Sequence, residues 1–99
     1  MTLEKIIRRY LEELIKDYKN KLRIELYEKY DDLVDEEYGH IFSIDLFFYL
    51  SQKMSEKPTV TEFHEILFSV SKELNMKPET IRDEAEQDEF TPFVFFLPN

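Results

Sequence analysis

Carboxylates are the most abundant ionisable groups in this chain, so their spacing is the first place to look for chemistry. Asp31, Asp32, Asp35, Glu36 and Glu37 crowd the approach to Gly39, the sole glycine. A calcium loop places ligands at set alternating positions around a central glycine. That pattern is absent, and the cluster reads as a solvated acidic helix end. Glu79, Asp83, Glu84, Glu86, Asp88 and Glu89 form a second cluster. With 22 acids in 99 residues, close pairs arise by helix spacing alone, and nothing marks one pair as buried or shifted in pKa. His40 and His64 stand apart, with no second histidine or cysteine at ligand spacing, so no metal site is expected. The serines lack a strand-to-helix elbow, and one glycine cannot build a phosphate-cradling loop. The expectation is neither an enzyme nor a cofactor-binding protein.

Basic residues are confined more narrowly. Residues 1–30 carry eight Lys/Arg against six Asp/Glu, a net of +2, whereas residues 31–99 carry five against sixteen, a net of −11. Such asymmetry speaks to partners and not to fold. The acidic part should repel nucleic acid and anionic membranes and attract basic protein surfaces. Arg8, Arg9, Lys16, Lys19, Lys21 and Arg23 form a basic edge, but acids are interleaved with them. No run approaches the length of a membrane helix, no signal peptide opens the chain, and there is no cysteine. A cytoplasmic protein without a membrane partner is expected.

The elements that must position these charges follow from periodicity. One domain over 1–99 is expected: an N-terminal helical segment (1–38), a tri-helical core (43–88) and an aromatic tail (90–99). Thr2 caps a first helix whose stripe runs Leu3, Ile6, Ile7, Tyr10, Leu11, Leu14, Ile15 and Tyr18. After Lys19-Asn20-Lys21 the stripe rotates to Leu22, Leu26, Tyr30, Leu33 and Val34. This gives two helices, or one kinked helix, with a strand at Leu22–Leu26 as the competing reading. Ser43 is placed to cap a helix from Ile44 to Met54 that is apolar nearly all round, the expected central rod. Phe47→Ala is accordingly expected to be among the most damaging substitutions. Thr59 and Glu62 form a capping-box pattern for a helix to Leu74, with Phe68 off its apolar stripe. Phe68 either packs on the chain itself, for instance on the tail, or anchors a partner.

The stretch from Val70 to Gln87 then breaks at Asn75, Met76 and Lys77 and restarts at Pro78-Glu79-Thr80-Ile81. Asn75 tolerates the left-handed turn of a helix stop, Met76 points back into the core, and proline suits the first helical position. The order Ser71, Leu74, Asn75, Met76, then Pro78 to Arg82, resembles the helix-turn-helix superfamily over about residues 60–88. Asn75 stands where that family usually has glycine, and Ser71 where it usually has alanine. The resemblance implies a mostly all-α fold of four to five helices, with a helix-turn-helix-like core and a short C-terminal extended segment. The alternative is an α+β, winged-helix-like fold. The tail, Phe90 to Asn99, needs cover for its aromatics: an earlier segment (His40 to Ile44, or Leu22 to Leu26), a groove between helices, or a second copy in a homodimer.

In that family the second helix enters the DNA major groove. Here its outward face would be Glu79, Asp83, Glu86 and Gln87, with Arg82 at the edge. Each carboxylate near a phosphate costs ~0.5 kcal/mol at ~8 Å in water, and one arginine–guanine contact returns about 1–3 kcal/mol. Several acids against one Arg82 make groove reading lose. The expected function is therefore a small acidic regulator that binds a basic protein surface through Glu79, Arg82, Asp83, Glu86, Gln87 and Phe68. If that surface normally holds nucleic acid, the protein would be a DNA mimic or decoy of the kind phages and mobile elements use. The alternative is a DNA-binding transcriptional regulator touching phosphates through Arg8, Arg9, Lys77 and Arg82, and a further one is an oligomeric structural subunit.

Overall fold

A computed structural model describes residues 2–30, 33–35, 39–81 and 91–98 of the chain. Helix α1 (Leu3–Asn20) starts at Thr2, whose hydroxyl accepts from the Lys5 N–H at 3.3 Å. It buries Ile7, Leu11 and Leu14 at the three-and-four spacing of one helix face. The helix stops at Lys21, and α2 (Arg23–Tyr30) follows after Leu22. The two-helix reading holds, and Leu22–Leu26 is not a strand. Local i,i+4 charge pairs favour a helix there, and no sheet edge lies nearby to reward extension.

Strand β1 (His40–Phe42) runs directly into α3 (Ser43–Ser51), and α4 (Val60–Glu73) follows a loop. Thr59 caps α4 as its spacing predicts, accepting from the Glu62 N–H at 3.1 Å. Ser43, in contrast, is not a cap: Phe42 occupies that position without a side-chain bond. Nor is α3 the central rod. Phe48 is 56% exposed, and Phe47 is only half-buried. The element packed against both α1 and α3 is α4, which buries Phe63, Leu67 and Val70 completely. Helix α3 packs on α4, β1 and β3, and these elements leave Phe48 uncovered.

The chain leaves α4 through two left-handed residues, Asn75 (φ 61) and Lys77 (φ 48), with Met76 fully buried between them. The sequence suggests a helix restart at Pro78. Instead, Glu79–Thr80 form strand β2, which pairs antiparallel with β3 (Phe93–Phe96). Pairing with an aromatic strand distant in sequence outweighs local helix-start chemistry here. Residues 82–88 of the expected helix, with Arg82, Asp83, Glu86 and Gln87, lie outside the described residues. Of the three helices expected over 43–88, α3 and α4 are described, and the third gives way to β2 where it would begin.

The sheet order is β1-β3-β2, both pairings antiparallel. His40 pairs with Phe96 and Phe42 with Val94 on one side, and Glu79 with Val94 on the other. Phe93 and Phe95 point into the core and are almost wholly buried, while Val94 and Phe96 alternate outward and are half-buried. The tail thus takes the first of its candidate partners, His40 to Ile44. Between Phe93 and Phe96 it is paired with β1 on one edge and with β2 on the other. The fold is mostly helical with a short antiparallel sheet.

Candidate functional site

Strands β2 and β3 flank the most acidic stretch of the sequence, residues 82–90. The Ile81 N–H donates to the Pro92 carbonyl at 2.9 Å, which fixes the two ends of the connection between these strands. That connection carries Asp83, Glu84, Glu86, Asp88 and Glu89 against Arg82 alone. Beside its root lies a depression of about 410 Å³ between α4 and the hairpin, lined by Thr61, Glu65, Phe68, Ser69, Thr80 and Thr91 among others. Hydroxyls and a carboxylate line this surface, and Glu62 and Glu79 are exposed on the same two elements. Lys72 is one base on this part of α4, and its ammonium lies 5.6 Å from the centroid of the Phe68 ring.

The charge count sharpens the picture. Nine of the 22 acids but one of the 13 bases fall in 31–32, 36–38 and 82–90, so the described residues hold thirteen acids against twelve bases. Nine acids against one base in these segments account for −8 of the net charge of −9. Residues 36–38 precede the His40 end of β1, opposite Phe96, whereas 82–90 precede the Phe93 end of β3.

The other predicted residues are dispersed. Phe68 packs edge-on against Phe93 with centroids 5.2 Å apart, so its ring serves the core. Arg8 is bound to Glu4 and Glu73, and those two carboxylates raise its pKa. Arg9 is exposed on α1, and Lys77 is exposed beyond the end of α4. Arg82, the remaining base proposed to touch phosphates, lies outside the described residues.

Beneath the depression is an arrangement that spacing alone does not reveal. Ser43, at the start of α3, has no exposed surface. Its Oγ lies 2.9 Å from His64 Nε2 and accepts from the Phe93 N–H at 3.0 Å. His64 Nδ1 is 2.9 Å from the Val60 carbonyl, which can only accept. The proton therefore sits on Nδ1, and Nε2 accepts from the serine hydroxyl. Burial lowers the His64 pKa, partly opposed by the bond to Val60. With the hydroxyl donating to His64 and accepting from β3, the pair clips three elements together. The one hint in the sequence is that both residues occupy otherwise apolar positions.

Comparison of the chain with protein-family models, with curated proteins and with solved structures found no match.

A second polar group joins α1 to α2. Asp17 accepts from Lys29 at 2.8 Å and from the Tyr30 hydroxyl at 2.7 Å, and Lys29 also reaches Glu13 at 3.0 Å. These bonds, the one from Lys29 first, lower the Asp17 pKa. The same ion pairs raise that of Lys29, and burial together with Asp17 pushes Tyr30 up to about 12. The group acts as a tether with its donors matched to acceptors. No set of three or more metal-ligating side chains comes together among the described residues.

Proposed function

We propose that this chain is a small acidic, non-enzymatic regulatory protein that binds a basic surface on another protein. The observation that carries this reading is the rooting of the acidic connection 82–90 beside the outward row of α4. Glu65 and Glu79 are exposed there, and the Ile81–Pro92 hydrogen bond fixes the two ends between which residues 82–90 run in sequence. A net negative charge favours fast encounter with a basic partner. If that partner's basic surface normally holds nucleic acid, the protein acts as a decoy for it.

The test is capture of a basic protein from an extract of the source organism. Glu65→Lys, Glu79→Lys, Asp83→Lys and Glu86→Lys combined should abolish capture while leaving the circular dichroism unchanged. Capture that survives this reversal would refute the proposal.

One observation favours a second reading, a DNA-binding regulator. The helix pair α3–α4 leads straight into a strand pair, as in winged relatives of the helix-turn-helix superfamily, one element earlier than residues 60–88. The exposed Glu62, Glu65 and Glu73 against Lys72 on α4 oppose it, because carboxylates next to phosphates repel and counterion release needs clustered bases. Nanomolar, sequence-dependent duplex binding in a mobility-shift titration would favour this second reading over the first.

A further inference from the structure

Between the second half of α1 and the turn that ends α4 runs a groove of about 980 Å³, at the Phe96 end of β3. Its floor is apolar: Ile15, Leu74, Phe96 and Leu97 are each half-buried there. Its rims are basic. Lys16 and Lys19, three apart and so on one face of α1, line one side, and Lys77 lines the other. All three are exposed, and none takes part in an ion pair among the described residues. Two carboxylates share the groove. Glu73 is bound by Arg8, and Glu12 lies one turn before Lys16 on α1. With Arg8 counted, four bases meet two acids here, in a chain whose net charge is −9.

Lys77 adds to this. It holds a left-handed backbone at φ 48, a conformation that glycine adopts without strain. Residues kept in such conformations cluster at ligand clamps and switches, and here the strained position sets an ammonium across the groove from two others. A small anion would leave the apolar floor in water, and a purely apolar ligand would leave the lysines unmatched. A nucleic-acid strand fits less well: stacking uses successive rings, Phe96 supplies one, and counterion release needs more bases than these. We infer that the groove docks an acidic segment of a protein partner. An aromatic or aliphatic side chain of that segment lies on the floor, with its flanking carboxylates between Lys16, Lys19 and Lys77. The depression beside α4 is lined by Phe93, at the other end of β3, and the inference does not rest on the function proposed above.

Selection of phage-displayed random peptides on the immobilised native chain tests it, with a library lacking lysine and arginine so that acidic surfaces select nothing by charge. Enriched peptides should carry Asp or Glu around Phe, Leu or Ile. The most enriched one, synthesised and labelled, should lose more than about tenfold in affinity to Lys19→Glu with Lys77→Glu, and as much to Leu97→Asp, with circular dichroism unchanged. Lys77→Gly should weaken binding while leaving the fold at least as stable, which separates the charge from the backbone. A selection that enriches nothing, or peptides without carboxylates, overturns the inference. So does an affinity indifferent to Lys19→Glu with Lys77→Glu. Tighter binding of an oligothymidine than of the peptide would assign the groove to nucleic acid instead.

Discussion

The Ser43 hydroxyl lies 2.9 Å from His64 Nε2, joining residues 21 positions apart in the chain. The acceptor at Nε2 exists only in the neutral ring, so the contact makes α3, α4 and β3 sensitive to one proton. His64 has its pKa lowered in the fold by burial, whereas the unfolded chain titrates near the ordinary value of about 6.5. Below that value the unfolded state binds more protons than the folded one, and stability falls as pH falls. The loss continues until pH passes the lowered folded value. Melting temperature should therefore drop between pH 7.5 and the acid side of 6.5 more steeply in the native chain than in His64→Gln. The limiting slope is about 1.4 kcal/mol per pH unit for one proton. Parallel curves for the two proteins would show that His64 does not titrate differently on folding.

Removing the hydroxyl tests the same clip at neutral pH. Ser43→Ala leaves the Phe93 N–H without its acceptor and His64 Nε2 without its donor. An unsatisfied buried group costs about 1–3 kcal/mol, so destabilisation of about 2 kcal/mol or more is expected in urea unfolding. A change below about 0.5 kcal/mol would mean that water takes over both bonds.

Packing sets a third expectation. Phe63 is fully buried at the contact of α4 with α3, its ring 5.3 Å from that of Phe47. Phe63→Ala should cost about 3–5 kcal/mol, and Phe48→Ala, at an exposed position, should stay within about 0.5 kcal/mol. Phe47→Ala should fall between them. Thermal unfolding of the three variants gives the order directly, and a larger effect at Phe48 than at Phe63 would place the core elsewhere.

Lys77 holds a left-handed backbone at φ 48 without a glycine. That conformation costs an L-residue roughly 1–2 kcal/mol, so Lys77→Gly should raise stability by about 0.5–1 kcal/mol, while Lys77→Ala should not. Asn75→Gly, at φ 61, should gain less, because asparagine tolerates the region better than lysine. Equal gains from glycine and alanine at position 77 would assign the effect to the side chain and not to the backbone.

The helices were largely legible from the sequence because their signals are local. Thr2 and Thr59 announce two starts by spacing, Asn75 announces a stop, and the stripe Ile7, Leu11, Leu14 names its own buried face. Met76 could be placed inside for the same reason. What was not legible depends on residues far apart in the chain. Pro78, Glu79 and Thr80 read as a helix start until Val94 and Phe93 are set opposite them. The over-apolar α3 suggests a rod at the centre, but α4 is the helix that packs on both α1 and α3, while α3 leaves Phe48 exposed. Ser43 and His64 gave no hint of each other, since neither spacing nor periodicity links the first residue of α3 to one inside α4.

The middle strand of the sheet, β3, follows every element it touches. As the polypeptide emerges during synthesis, α1, α3 and α4 can gather, but β1 and β2 lack their shared partner strand until residues 93–96 are clear of the ribosome. Until then Ile41 and Met76 face water, and the clip at Ser43 lacks its third arm. Completion of the core is thus a late event in the life of each molecule, and a translation pause before Phe93 would leave an adhesive intermediate for chaperones to shield.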